Sequence, residues 1–142
     1  MDITIDDMKR MARQSLELWS NSRSGKAEDV FSSKYVNHQE PAAAGGVKGV
    51  DLQGWKAIVE GCRTAFPDLE VTIRNQIAEG VLVATRWQFE GTQTGAYLGR
   101  PPSGRRAVWT GVQIDRISDG KIVESWVDWD KYRMFEALGF LG

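Results

Sequence analysis

The residue types best suited to acid–base chemistry are concentrated near the C-terminal end of the chain. The carboxylates Glu124, Asp128 and Asp130 are interleaved there with Trp126 and Trp129. Aromatic side chains around a few acids are typical of a pocket for an organic ligand. Burial against tryptophan would also raise a carboxyl pKa toward neutrality, as general acid–base catalysis requires. The pattern therefore predicts a small-molecule site at which a carboxylate carries protons.

Asp130 lies between the last predicted strand and the last predicted helix. It is a candidate catalytic acid or base at the mouth of the pocket. It is equally suited to be the N-cap of the helix, with the backbone N–H groups of Tyr132 and Arg133 as partners of its carboxylate. Both interpretations are open from the sequence, and Asp130 is the first candidate proton carrier.

Asp128 is the second candidate, and its role depends on the face of the strand that it occupies. Along Val123–Trp129 the odd-numbered residues are all un-ionised, whereas the even-numbered ones include Glu124 and Asp128. Because successive side chains alternate between faces, the odd-numbered set is the expected core face and Asp128 is expected to point outward. A one-residue bulge would reverse this arrangement.

His38 is the single histidine of the chain and the third candidate catalytic residue. An unperturbed histidine titrates near neutral pH, and His38 precedes the Gly-rich stretch 41–46, which is a candidate lid over a pocket. A surface or capped histidine is the alternative interpretation. Gln113 could orient a ligand carbonyl or a water, but an amide cannot carry protons, so a plain strand residue is its alternative.

The tryptophans are numerous for so short a chain, with six in 142 residues. Tryptophans at such spacings usually belong to the core, but both roles are compatible where the core opens into a pocket. The predicted ligand contacts are Trp19, Tyr35, Trp55, Trp87, Trp109, Gln113, Trp126 and Trp129. Cys62 lies on the apolar stripe of a predicted helix and is expected to be a small buried hydrophobic residue.

Hydrophobic periodicity predicts one α+β domain over residues 1–142. Helical spacing extends over about 5–20, 27–31 and 50–66, and Thr4 is the predicted N-cap of the first helix. Alternation predicts strands at about 35–38, 69–78, 81–90, 106–117 and 121–129, followed by a short helix that ends at Gly139. Helices followed by antiparallel strands favour a curved sheet that wraps around the helices.

Composition excludes several classes of partner and site. The net charge of −1 provides no basic field for nucleic acid or for an anionic membrane, and no run of residues approaches membrane-spanning length. One Cys and one His exclude a Cys/His zinc site, and G-x-G-x-x-G and P-loop motifs are missing. We expect no metal and no organic cofactor. The lone cysteine and the acidic N-terminus without an apolar signal core favour a cytoplasmic location.

Four strings resemble the SnoaL-like polyketide cyclase family, within the nuclear transport factor 2-like superfamily. They are Tyr35–His38, Ala65–Asp68, the loop Gly91–Arg105 with its Gly-Thr-x-Thr-Gly and Pro-Pro-x-Gly-Arg segments, and Asp119–Asp130. The resemblance implies a cone-shaped α+β barrel with N-terminal helices packed in a strongly bent antiparallel sheet. It also implies catalysis without a cofactor and homo-oligomers formed through the outer face of the sheet.

In the cyclases for which this family is named, a strand histidine and an aspartate of the last strand face the ligand. Here the histidine position falls on Gln113 and the aspartate position on Val127, next to Asp128. The resemblance therefore supports the fold and the location of the site more than it supports aldol chemistry.

We therefore predict a cofactor-independent acid–base enzyme that acts on a hydrophobic, ring-bearing small molecule in a deep aromatic pocket. Ring closure and the opening of an epoxide or ester are the two reaction types that fit. The alternative is a non-catalytic small-molecule-binding module of the same fold. Apolar residues such as Val112 and Ile114 on the sheet also predict a homodimer.

Overall fold

The computed structural model describes residues 3–21, 25–39 and 49–141, so the predicted lid at 41–46 lies outside the described residues. The helices are α1 (Ile5–Glu17), α2 (Ala27–Val30), α3 (Leu52–Ala65) and α4 (Lys131–Leu138). The strands are β1 (Phe31–Gln39), β2 (Val50–Asp51), β3 (Glu70–Glu79), β4 (Leu82–Thr92), β5 (Arg106–Ser118) and β6 (Lys121–Trp129). No helix among these residues is long and apolar enough to span a membrane.

Side-chain caps determine where the longer helices begin. Thr4 caps α1 as predicted, and Asp7 bonds back to the Thr4 backbone to complete a capping box. Asp51 accepts a hydrogen bond from the Gly54 backbone at 2.9 Å and caps α3. α1 ends three residues earlier than the predicted residue 20, and Trp19 therefore lies just beyond the helix.

The six strands form one curved, unclosed sheet in the order β2-β1-β6-β5-β4-β3. The α+β fold and the antiparallel β5–β6 hairpin that the sequence predicted are confirmed. One pairing differs from the prediction, because β1 runs parallel to β6. β1 is also longer than the predicted segment 35–38, since it begins at Phe31.

Strand alternation separates an inner face, covered by the helices, from an outer face. The inward residues of β4 and β5 are the odd-numbered ones, which are buried from Val83 to Phe89 and, apart from Gly111, from Ala107 to Ile117. The register then aligns inward residues of different strands into rows. One row contains Trp87, Gly111 and Trp129, and the next contains Thr85, Gln113, Val127 and Gln39.

A third row is aligned below these two and contains Val83, Asp115, Ser125 and Asn37. The inner face thus changes along the strands from an aromatic region to a buried polar region. Apolar side chains from the helices and strands pack around both regions in one hydrophobic core. The candidate site lies where the aromatic region meets the buried polar region.

Candidate active site

A cavity lies between the inner face of the sheet and the helices α1, α3 and α4. Its aromatic lining residues are Trp19, Trp87, Phe89, Tyr97, Trp109 and Trp129. Its aliphatic and sulfur-containing lining residues are Leu16, Ile58, Cys62, Val127 and Met134. Two polar residues, Gln39 and Gln113, complete the wall, and none of these thirteen residues carries a charge.

The cavity is narrow for an organic ligand. Its volume is about 450 Å³ when the part open to solvent is counted, but the enclosed space is only about 40 Å³. One water needs roughly 10–15 Å³ of enclosed space, so the cavity holds a few waters. Binding of a ring compound therefore requires aromatic side chains of the wall to move apart.

Asp115 lies directly behind this wall and is fully buried. It accepts hydrogen bonds from Gln113 Nε2 at 2.9 and 3.1 Å and from the Ser125 hydroxyl. Burial raises the pKa of the Asp115 carboxyl to about 7, although the hydrogen bonds from Ser125 and Gln113 favour the ionised form and oppose the rise. Asp115 can therefore both accept and donate a proton near neutral pH.

Gln113 connects Asp115 to the cavity. Its Nε2 group donates to Asp115 and lies 3.4 Å from the Ser15 hydroxyl of α1. An ionised carboxylate only accepts hydrogen bonds, so it fixes the amide with its nitrogen toward Asp115. The amide oxygen is then directed away from the carboxylate.

Tyr35 and Asn37 extend the polar region on the other side of Asp115. The Asn37 amide donates to the Tyr35 hydroxyl at 2.8 Å, and the Asn37 Oδ1 atom is buried without a partner. Burial, and then the nearby charge of Asp115, raise the pKa of the Tyr35 hydroxyl. Tyr35 therefore stays protonated at neutral pH and acts as a hydrogen-bonding group.

Five of the predicted ligand contacts line the cavity, and three do not. The five are Trp19, Trp87, Trp109, Gln113 and Trp129. Tyr35 belongs to the buried polar region, and Trp55 packs edge-on against Trp19 at a centroid distance of 6.0 Å. Trp126 lies on the outer face with 38% of its surface exposed and is not part of this cavity wall, so its role in ligand binding stays a prediction.

His38 and Asp128 also lie on the outer face. His38 pairs in register with Trp126 and stacks on its ring, and His38 Nε2 lies 2.8 Å from Glu124 Oε2. Asp128 is exposed, as the strand alternation predicted, because the bulge in β6 lies upstream near Val123 and does not turn it inward. The register of β1 with β6 therefore places His38 on the other side of the sheet from this cavity.

Asp130 makes the contacts of a helix cap. Its Oδ1 atom accepts a hydrogen bond from the Arg133 backbone at 2.9 Å, and Oδ2 lies 3.7 Å from Arg133 Nε. Its side chain is 45% exposed and is not part of the cavity wall. Proton-carrying roles for Asp130, Asp128 and His38 stay predictions, and none of these three side chains reaches the cavity described here.

Other interpretations of the sequence agree with the structure. Cys62 is buried in the cavity wall, and burial raises the pKa of its thiol to about 12, so the thiol is unreactive at neutral pH. Gln113 and Val127 are direct partners across β5 and β6, at the two positions where the resemblance places ligand-facing residues. Because Val127 occupies the position of the family's aspartate, the Gln113–Val127 pair contains no ionisable group.

Asp115 is the functional candidate that the sequence analysis missed. The available signal was its position two residues after Gln113, because alternation places both on the same face of β5. Gln93 was also missed, although it is fully buried and fastens the long loop between β4 and β5. Its side chain bonds to backbone groups of Gly95, Pro101 and Ser103.

Comparisons with known proteins agree with this architecture. The sequence profile of the SnoaL-like polyketide cyclase family matches residues 9–138. AclR of Streptomyces galilaeus, a candidate hydroxylase, is 27% identical with a TM-score of 0.83, and the match covers 97% of this chain and 84% of AclR. IdmH of Streptomyces antibioticus, a candidate polyketide cyclase, is 28% identical with a TM-score of 0.81, over 93% of this chain and 98% of IdmH.

A third structure supports the fold alone, because the identity is lower. TsrD of Streptomyces laurentii is 22% identical with a TM-score of 0.83, and the match covers 99% of this chain and 100% of TsrD. A search of curated proteins gave no match. With a family profile that spans nearly all of its length, this chain belongs to the SnoaL-like polyketide cyclase family.

Proposed function

We propose that this chain is a cofactor-independent acid–base enzyme that acts on a hydrophobic, ring-bearing small molecule, with Asp115 as the proton carrier. The observation that carries the proposal is a fully buried carboxyl group hydrogen-bonded to Gln113 of the cavity wall. Its pKa of about 7 provides both protonation states at working pH. The titratable groups of the wall itself, Cys62 and Tyr97, have pKa values raised by burial and are poor proton carriers.

The aromatic wall supports a flat, apolar substrate. Six aromatic rings provide apolar contact, and the uncharged lining disfavours ligands with phosphate or carboxylate groups. Asp115 lies one layer behind Gln113, so a reacting group reaches it through the polar region. Either a water carries the proton across this layer, or the Gln113 side chain is displaced by the substrate.

Two reaction types need only this one proton carrier. In ring closure, the Asp115 carboxylate removes a proton from a carbon next to a carbonyl group, and the enolate carbon attacks a second carbonyl carbon. Asp115 then returns the proton to the new alkoxide. In epoxide opening, Asp115 takes a proton from the attacking water, the C–O bond of the epoxide breaks, and Asp115 protonates the alkoxide that forms.

The test is a screen of polyketide, terpenoid and epoxide compounds by thermal shift and mass spectrometry, with Asp115→Asn and Asp128→Asn compared in parallel. Asp128→Asn is the matched control, because it makes the same chemical change on the outer face. We expect Asp115→Asn to lower the rate by roughly two to four orders of magnitude, the usual contribution of a general acid or base. Turnover by Asp115→Asn within about twofold of the wild-type rate would refute the assignment.

A non-catalytic binding module is the second candidate function. It is favoured by the cavity wall, since none of the described lining residues carries a carboxyl group and Asp115 lies behind that wall. Compounds that raise the melting temperature and are recovered unchanged, across all three compound classes, would support this alternative.

A further inference from the structure

Two indole N–H groups that belong to residues of the cavity wall are buried without a hydrogen-bond partner among the described residues. They belong to Trp87 and Trp129, which both line the cavity, and Trp87 is only 4% exposed. A buried donor without a partner costs free energy of folding, and such donors usually have a protein, water or ligand acceptor. The wall around them is otherwise apolar except for Gln39 and Gln113.

The sheet places these two tryptophans on either side of Gly111. Both are in register with Gly111, Trp87 on β4 and Trp129 on β6. A Cβ atom on Gly111 would lie 2.3 Å from Trp87 Cζ2 and 2.8 Å from Trp129 Cβ. The missing side chain of Gly111 thus provides the space in which the Trp87 ring extends across β5 toward Trp129.

We propose that the indole N–H groups of Trp87 and Trp129 form a paired donor site for a carbonyl oxygen on the edge of an uncharged, flat ring compound. The inference rests on the proposed use of the cavity as the substrate site. Indole groups donate hydrogen bonds and cannot accept them, so the matching ligand group is an acceptor. Because none of the lining residues in the described ranges is cationic, the site favours a neutral carbonyl over a carboxylate.

The pair also positions the ligand. The row of Gly111 is two residues from the row of Gln113, which is about 7 Å along the strands. In the proposed complex, the two indoles hold the carbonyl oxygen and the body of the ring lies over Gln113, in front of the polar region that contains Asp115. Trp87 and Trp129 are positioning residues in this scheme, and they determine which edge of the ring faces the proton carrier.

The test uses xanthone, a flat tricyclic ketone, and xanthene, the same ring system without the carbonyl oxygen. Nitrogen-15 NMR of the full chain resolves the indole signals of its six tryptophans, which are assigned with single Trp→Phe variants. We expect xanthone to move the N–H signals of Trp87 and Trp129 downfield and to bind more tightly than xanthene. No shift of these two signals at saturating xanthone, or equal affinity for the two compounds, would overturn the proposal.

Substitutions separate loss of the donor from loss of ring volume. Trp87→Phe or Trp129→Phe should reduce the preference for xanthone about three- to tenfold, the contribution of one neutral hydrogen bond. Trp109→Phe is the matched control: it removes the same ring volume from the same wall, and the Trp109 nitrogen is not among the buried unpartnered atoms of the described residues. An equal loss of preference in all three variants would contradict a donor role.

An isosteric replacement covers the case in which a Phe variant is unstable. Benzothienylalanine at position 87 keeps the fused ring but replaces the N–H group with sulfur, and it should lower the xanthone preference as Trp87→Phe does. These binding measurements do not involve Asp115. If the wild type prefers xanthone to xanthene and Asp115→Asn retains full turnover, only the proposed proton carrier is refuted. If Asp115→Asn loses turnover but xanthone does not shift the N–H signals of Trp87 and Trp129, only the paired donor site is refuted.

Discussion

Asp115 and Glu124 are carboxylates on adjacent strands of the same sheet, and they point to opposite sides of it. Asp115 on β5 faces inward and is fully buried, and desolvation raises its pKa to about 7. Glu124 on β6 faces outward, where hydrogen bonds from His38 and then Arg116 hold its pKa below the usual range. The comparison shows that position on the sheet, and not residue type, determines which acid can exchange protons near neutral pH.

The same contrast extends to the neighbouring residues of each face. The inner face combines aromatic rings with Gln113, Asp115 and Ser125 beneath the helices. The outer face presents Val112, Ile114 and Trp126 in a partly exposed apolar patch. We therefore assign chemistry to the inner face and propose that the outer face binds a second copy of the chain.

The largest expected effect is on the pH dependence of stability, and Asp115→Asn tests it. A carboxyl pKa raised from 3.8 to about 7 means that the folded state binds more protons than the unfolded state between these pH values. The contribution of Asp115 to the free energy of unfolding is therefore fully present below pH 4. It amounts to on the order of 4 kcal/mol and is lost as the pH rises through 7. Asn cannot ionise, so the variant should lack this loss.

Urea unfolding of the wild type and of Asp115→Asn at intervals from pH 4 to pH 8 measures the effect. The variant should gain stability relative to the wild type as the pH rises, and Asp128→Asn should not. Parallel pH profiles for the wild type and Asp115→Asn would show that Asp115 is not a neutral-pH titrating group, and the inner-face assignment would fail with it.

The contrast between the two faces also explains which side chains could be assigned to a face of the sheet from the sequence alone. Alternation along Val123–Trp129 correctly placed Asp128 outside, because one face of that segment lacked ionisable residues. The same rule applied from Gln113 places Asp115 on the same, inner face of β5, but charged residues are rarely fully buried, so residue type alone does not single it out. His38 could not be placed, because its direction depends on the parallel register of β1 with β6, which joins residues far apart in sequence.

The second prediction concerns the outer patch. Trp126→Glu removes the aromatic ring of the patch and places a charge beside Val112 and Ile114, on the same face as Asp128. The new carboxylate would be desolvated in a dimer. If the chain associates through this face, the dissociation constant should rise by about 30-fold or more, as for a central interface aromatic. Sedimentation velocity at micromolar concentration measures it. A wild-type chain that sediments only as a monomer of about 15.9 kDa would contradict the proposed dimer.

The third prediction returns to the inner face at Gly111. Gly111→Ala introduces a Cβ atom that would lie 2.3 Å from the Trp87 ring, so the indole must move. Overpacking of this kind costs about 1–3 kcal/mol in the free energy of unfolding, and the displaced ring should also weaken xanthone binding. Gly61→Ala is the matched control, since nothing lies within 4 Å of the added atom. Equal stability of both variants would show that the cavity wall is not tightly packed at Gly111.

The smallest expected effect comes from His38→Gln on the outer face. The hydrogen bond from His38 favours ionised Glu124, so its contribution to stability is present above the ordinary Glu pKa and is lost as the pH falls through the lowered value. Both side chains are partly exposed, so the deficit at pH 7 should be less than about 1 kcal/mol and should disappear in acid. Turnover should be nearly unchanged, because His38 lies outside the cavity wall. A rate loss of a hundredfold or more in a variant with an unchanged melting temperature would indicate that His38 is the proton carrier. It would contradict the assignment of the chemistry to the inner face of the sheet.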